Sequence, residues 1–192
     1  MKYYILFGPP GAGKGTHAAA LVEKYNYKHI STGALLRAEI AAGTELGKQA
    51  QELIAGGNLV PDEVVEGMIE STFRNNRDVP GFLLDGFPRT IAQAEALDKM
   101  LAKTGEEVTG TISIMIPDEL VFERIKRRAA IEGRADDASD EIIANRVKTY
   151  HAQTEPLIEY YKAAGNFHEV NVDGGTIELN RAKVLDLMES FA

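Results

Sequence analysis

Gly8-Pro9-Pro10-Gly11-Ala12-Gly13-Lys14-Gly15-Thr16 gathers glycines around one lysine and one hydroxyl, after an apolar run and before a stretch with helical spacing. Glycines so placed let backbone N–H groups turn inward around phosphate oxygens. The helix that follows adds its positive end, and the lysine reaches the outer phosphates. The segment reads as a phosphate-binding loop, or P-loop. It departs from the strict G-x-x-x-x-G-K-[ST] pattern: Gly15 occupies the hydroxyl position and Thr16 comes one place later. The phosphate cradle is therefore specified, and the metal contact less so. A ligand-free glycine turn would not call for the lysine in register. A dinucleotide fingerprint fails, because Thr16 stands where a third glycine is required.

Phe82-Leu83-Leu84-Asp85 is an apolar strand closing on a carboxylate. Alone it could be any strand ending in a cap. Beside a P-loop it places an acid at the crevice where parallel strands end, positioned to order Mg²⁺ through water. Seven of the ten arginines, Arg37, Arg89, Arg124, Arg127, Arg128, Arg134 and Arg146, fall in or beside loops and helix starts on that side of a parallel sheet. Guanidinium groups suit bidentate phosphate contacts, and phosphoryl transfer needs positive charge spread around the migrating group. Arg74, Arg77 and Arg181 read as ordinary solvated residues.

The elements that must position these groups follow from the periodicity. Short apolar runs at Lys2–Phe7, Gly81–Asp85, Thr111–Ile116 and His168–Val172 alternate with longer helical stretches, and Lys28–Ile30 is a fifth candidate strand. Strand–helix alternation implies crossover connections and a doubly wound parallel α/β sheet with helices on both faces. Ser31 and Thr32 can cap a helix carrying Leu35, Leu36 and Ile40. Pro61 suits a first helical turn with Asp62 and Glu63 at its positive end, and Thr90 precedes the Ile91/Ala94/Leu97/Leu101 face. Pro117-Asp118-Glu119 and Ser139-Asp140-Glu141 open two more helices, the second interrupted near Pro156, and Ala129–Ala138 between them reads as a surface loop.

A chain of 192 residues with 44% apolar and 26% charged residues is one globular domain. Its net charge of −8 argues against nucleic acid or an anionic membrane as partner, so any polyanion must be small and locally held. No cysteine is present, which removes disulfides and thiolate metal sites and fits a cytoplasmic setting. His17, His29, His151 and His168 lack ligand spacing and read as packing or surface residues.

In combination, these residues resemble the adenylate kinases among the nucleoside monophosphate kinases. Besides Gly8–Thr16, the resemblance rests on Ile30-Ser31-Thr32-Gly33-Ala34-Leu35-Leu36-Arg37, Leu59-Val60-Pro61-Asp62-Glu63 and Asp85-Gly86-Phe87-Pro88-Arg89-Thr90 with Gln93. Gly133-Arg134-Ala135-Asp136-Asp137 and Asn145-Arg146 complete it. It implies a five-stranded fold of the P-loop NTPase type, with an inserted nucleoside-monophosphate-binding region at 31–60 and a short lid at 127–137. Gly11, Ala12, Gly13, Lys14, Gly15 and Thr16 would hold the phosphates of ATP, with Arg128 and the backbone of Gly174 toward its adenosine end. AMP would meet Thr32, Arg37, Asn58, Leu59, Val60, Gly86, Phe87, Pro88, Arg89 and Gln93, with Arg134 and Arg146 closing from the other side. Lys14, Arg89, Arg128, Arg134 and Arg146 would carry the catalysis. Ala34 departs from the family, which usually has an aspartate there.

The implied reaction is reversible phosphoryl transfer from MgATP to AMP, giving two ADP, by a monomer. A UMP/CMP kinase would share the chemistry with another acceptor. A nucleotide-dependent switch would call for a guanine-reading Asn-Lys-x-Asp, which is not found, and would leave Asp85–Arg89 unexplained.

Overall fold

The computed structural model describes residues 1–134, 137–172 and 175–191. Five strands, β1 (Lys2–Phe7), β2 (Lys28–Ser31), β3 (Gly81–Asp85), β4 (Gly110–Met115) and β5 (Phe167–Asn171), form one sheet in the order β2-β3-β1-β4-β5. Every pairing is parallel. The doubly wound α/β architecture expected from the sequence is the one observed.

The connections are helical: α1 (Lys14–Tyr25), α2 (Thr32–Ala41), α3 (Glu45–Ala55), α4 (Asp62–Asn75) and α5 (Ile91–Ala102), then α6 (Asp118–Glu132), α7 (Asp140–Thr149), α8 (Leu157–Ala164) and α9 (Ile177–Ser190). Side chains alternate along β1, and both of its faces are buried, as covered parallel strands require. Tyr3, Ile5 and Phe7 pack with Leu36, Ile69, Leu97 and Tyr161, from α2, α4, α5 and α8. Tyr4 and Leu6 pack with Leu21, Val121, Val147 and Val184, from α1, α6, α7 and α9.

Two helix boundaries differ from the sequence reading, and an expected interruption takes a particular form. Helix α6 runs on to Glu132, into the span expected to be loop, because Arg127–Glu132 are good helix formers. Gly133, at φ 61°, ends it with its N–H on the Ala129 carbonyl at 3.0 Å. Pro61 sits just before α4 as its cap residue rather than in its first turn. The interruption expected near Pro156 is a π-helical turn, Tyr150–Thr154, in which the Glu155 N–H reaches the Tyr150 carbonyl at 2.8 Å. Pro156 offers no N–H, and the widened turn makes room for its ring.

Register brings the chemistry together. Asp85, the last residue of β3, pairs with Leu6 on one side and Ser31 on the other. It therefore lies beside the start of the P-loop and the start of α2. The chain order reverses across β1, and the crevice at such a switch point is where open α/β sheets bind ligands.

Candidate active site

Beyond β1 the chain turns through Gly11 and Gly13, at φ 78° and 90°, backbone values a Cβ would disfavour, and enters α1 at Lys14. The Lys14 ammonium curls back and donates to the carbonyls of Gly8 and Pro9, both at 3.0 Å. Burial is the chief influence on it and lowers its pKa to about 8, aided by Arg89, Arg146 and Arg128 and opposed by Asp85. A partly desolvated ammonium is held where an arriving anion would favour its charged form.

Asp85 is nearly buried, and its carboxylate meets His29 Nε2 at 3.2 Å. Burial opposes its ionisation. The His29 hydrogen bond and the charges of Lys14 and Arg89 together outweigh that and hold the carboxyl below its ordinary value. It is thus an anion near neutral pH.

The next residue, Gly86, adopts φ 86°, and a Cβ there would come within 2.7 Å of both Thr32 Oγ1 and Arg89 Nη2. Its carbonyl accepts from Thr32 Oγ1 at 2.9 Å and from Arg89 Nε at 2.7 Å, so one backbone oxygen aims two side chains. Arg89 is tied again through its own N–H, which donates to Gln93 Oε1 at 2.7 Å. Gln93 stands in the first turn of α5, where its N–H is capped by Thr90 Oγ1 at 3.2 Å.

Across the crevice, Arg128 on α6 clasps the fully buried carboxylate of Asp137 through two hydrogen bonds, at 2.8 and 2.9 Å. Arg146 on α7 pairs with the same carboxylate, and Arg134 pairs with Glu132. The α2–α3 arm touches α7: Asn145 Nδ2 donates to the Gly56 carbonyl at 2.7 Å and to Asn58 Oδ1 at 3.1 Å.

Together these walls enclose a crevice of about 690 Å³, within the range of small-molecule sites. Of the residues expected from the sequence, Gly11, Gly13, Lys14, Gly15, Thr16, Thr32, Arg37, Asn58, Leu59 and Val60 line it. So do Asp85, Gly86, Arg89, Gln93, Arg128, Arg134 and Arg146. Others lie elsewhere. Ala12 is buried in the core with its N–H on the Pro9 carbonyl at 3.2 Å, and Phe87 is likewise a core side chain. Pro88 borders a small neighbouring pocket together with Tyr150 and Thr154. Gly174 lies outside the described residues, as do Ala135 and Asp136 of the lid span. Arg127 is exposed, away from the crevice.

Sequence reasoning missed His29, read there as a packing residue. Its partner is 56 positions away, and only the adjacency of β2 and β3 could have revealed the pair. It also gave no role to Asp137, whose doubly paired carboxylate depends on how α6 meets α7.

The adenylate kinase family profile matches residues 6–166 of the chain. The chain belongs to the adenylate kinase family. It is 47% identical over 191 residues to an adenylate kinase of Phocaeicola vulgatus, covering all of both chains. It is 49% identical over 188 residues to an adenylate kinase of Flavobacterium johnsoniae, covering 97% of this chain and 98% of the other. With one of Flavobacterium psychrophilum it shares 48% identity over 177 residues, 92% and 93% of the two chains. Within this family frame Ala34 is exposed at the crevice wall, where its methyl adds no polar contact beyond the backbone bond from its N–H to Ser31 Oγ at 3.3 Å.

Proposed function

We propose that this crevice carries out the family's reaction, reversible transfer of the terminal phosphoryl group of MgATP to AMP, with donor phosphates at Gly11–Thr16 and the acceptor between Thr32, Arg37, Arg89 and Gln93. The observation that carries the reading is the convergence of the P-loop, Asp85, Gly86 and three arginine-bearing helices on one cavity. An oxygen of the acceptor phosphate attacks the terminal phosphorus, and the bond from that phosphorus to the bridging oxygen breaks, leaving two diphosphates. The acceptor oxygen is already ionised, so no protein nucleophile or base is required. Catalysis rests on positioning and on preorganised positive charge.

Lys14 holds the donor's outer phosphates, which favour its charged form as they arrive. Arg89, aimed by Gly86 and Gln93, grips the acceptor phosphate with Arg37. Arg128, Arg134 and Arg146 face the migrating group once they exchange Asp137 and Glu132 for phosphate oxygens. That exchange substitutes one anion for another and leaves the arginines paired throughout.

Mg²⁺, when bound with the nucleotide, neutralises phosphate charge. No group of three or more metal-binding side chains occurs among the described residues. A single ionised carboxylate, Asp85, beside a phosphate cradle fits this ion, which keeps several waters and shares its ligands with substrate phosphates. Residues 31–60 would close over AMP and 127–137 over ATP, excluding water as competing acceptor. The family resemblance favours a monomer, and the cysteine-free sequence fits the cytoplasm. No helix among the described residues is long and apolar enough to cross a membrane.

A dinucleoside pentaphosphate spans donor and acceptor positions in one molecule. Titration calorimetry should show tight one-to-one binding that excludes both ATP and AMP. Binding that excludes ATP while leaving AMP binding intact would refute the two-nucleotide crevice. Comparing AMP, UMP and CMP as acceptors separates the adenine reading from the pyrimidine one.

A further inference from the structure

Gln93 is buried, borders the crevice, and uses both ends of its amide within the protein. Its Oε1 accepts from the Arg89 N–H at 2.7 Å, and its Nε2 donates to Asp62 Oδ1 at 2.8 Å. Asp62 is the first residue of α4 and does not itself border the crevice. The two partners fix the amide twice over. Turned by 180°, the amide would set Nε2 against an N–H and Oε1 against a carboxylate, replacing two hydrogen bonds by two repulsions in a site water barely reaches.

A primary amide has two lone pairs and two N–H bonds. One of each is committed to Arg89 and Asp62, which leaves one acceptor and one donor for a ligand. A 6-aminopurine offers the matching edge, an exocyclic N–H and an unprotonated N1. A 6-oxopurine offers the reverse, a carbonyl and an N1–H, and would meet acceptor with acceptor and donor with donor. Sites built on such hydrogen bonds discriminate strongly, because the wrong ligand leaves buried polar groups unpaired.

We propose that Asp62 is a positioning residue that locks the Gln93 amide in one orientation and thereby makes the acceptor site select a 6-aminopurine monophosphate over a 6-oxopurine monophosphate. The inference rests on the reading above, in which the acceptor base lies against Gln93. In Asp62→Ala one of the two locks is gone, and a flipped amide loses one hydrogen bond where it formerly lost two.

The test compares AMP with IMP, which differ only along this edge, as acceptors for the full-length protein. In Asp62→Ala the ratio of kcat/KM for AMP to that for IMP should fall at least about tenfold, with the KM for ATP unmoved. Asp62→Asn, whose amide oxygen can accept the same bond, should restore most of the ratio. If Asp62 merely supports the start of α4, the alanine variant will melt at lower temperature while AMP and IMP suffer equally. An unchanged ratio overturns the proposal, and so does an asparagine variant as unselective as the alanine one. Gln93→Ala tells the two levels apart. If it collapses the ratio while Asp62→Ala does not, the role of Asp62 alone fails. If the ratio survives in Gln93→Ala, the base does not lie against Gln93, and the acceptor reading falls with the proposal.

Discussion

Lys14 combines a lowered affinity for its proton with the position best suited to an incoming polyanion. Burial brings its pKa to about 8 in the ligand-free protein. It is therefore mostly charged at pH 7 and mostly neutral at pH 9. Phosphate oxygens favour the charged form and raise the pKa in the complex, so binding above pH 8 must take up a proton, and nucleotide affinity must fall as pH rises through this value. Titration calorimetry in two buffers of different ionisation enthalpy measures this directly. Net uptake should grow between pH 7 and pH 9, and proton release at pH 8.5 would contradict the assignment. Lys14→Met removes the charge altogether. By comparison with loss of one oxyanion donor, kcat should drop about 10²- to 10³-fold, equivalent to roughly 3 kcal/mol of transition-state stabilisation. Turnover near normal would remove Lys14 from the machinery.

At the scale of elements, the α2–α3 arm is a unit tied to the rest of the crevice where α3 ends. Thr44, between its two helices, donates to Glu39 Oε2 at 2.6 Å and caps α3 by accepting from the Gly47 N–H at 3.0 Å, fastening one helix to the other. The C-terminal end of α3 is held to α7 by Asn145 through Gly56 and Asn58. Asn145→Ala deletes both bonds without touching the P-loop. We expect the KM for AMP to rise a few-fold, with kcat not reduced and the KM for ATP unchanged, as steady-state kinetics would show; a purely local role would leave the KM for AMP where it was. Elements were largely legible in the sequence because apolar periodicity and capping residues are local signals. The β1 and β3 boundaries agree with the reading, and β4 and β5 shift by one residue. The P-loop and Asp85 were legible because glycine spacing and strand ends are local too, and Arg89 because it stands beside a strand end; Gln93 entered only through the family resemblance. Illegible were the pairings of His29 with Asp85, Asp137 with Arg128 and Arg146, and Asp62 with Gln93. Each joins elements whose adjacency only sheet order and helix packing decide. Ala12 and Phe87 are motif positions whose side chains the core claims, a distinction that a motif does not encode.

For the whole molecule, the question is how a site open enough to admit two nucleotides keeps water from the phosphoryl group. The sheet cannot move to do so, since both its faces are packed by helices. The arm and the lid are held differently. The end of α3 meets α7 through the Asn145 hydrogen bonds, and the 127–137 span is held by Asp137, which pairs with Arg128 of α6 and Arg146 of α7, and by Arg134, which pairs with Glu132. Polar contacts of this kind exchange readily for water or phosphate, whereas the apolar packing of the sheet does not. Opening therefore costs less at these two spans than anywhere in the sheet. Hydrogen exchange followed by mass spectrometry should find amides of 45–56 and 127–134 exchanging faster than those of β1, β3 and β4 in the ligand-free protein. A bound dinucleoside pentaphosphate should slow both spans, and ATP alone chiefly the second. On the proposed assignment of 31–60 to AMP and 127–137 to ATP, protection in each span should follow the occupancy of its own ligand. Uniform exchange across sheet, arm and lid, or protection by the pentaphosphate confined to the P-loop, would mean that the crevice excludes water without closing.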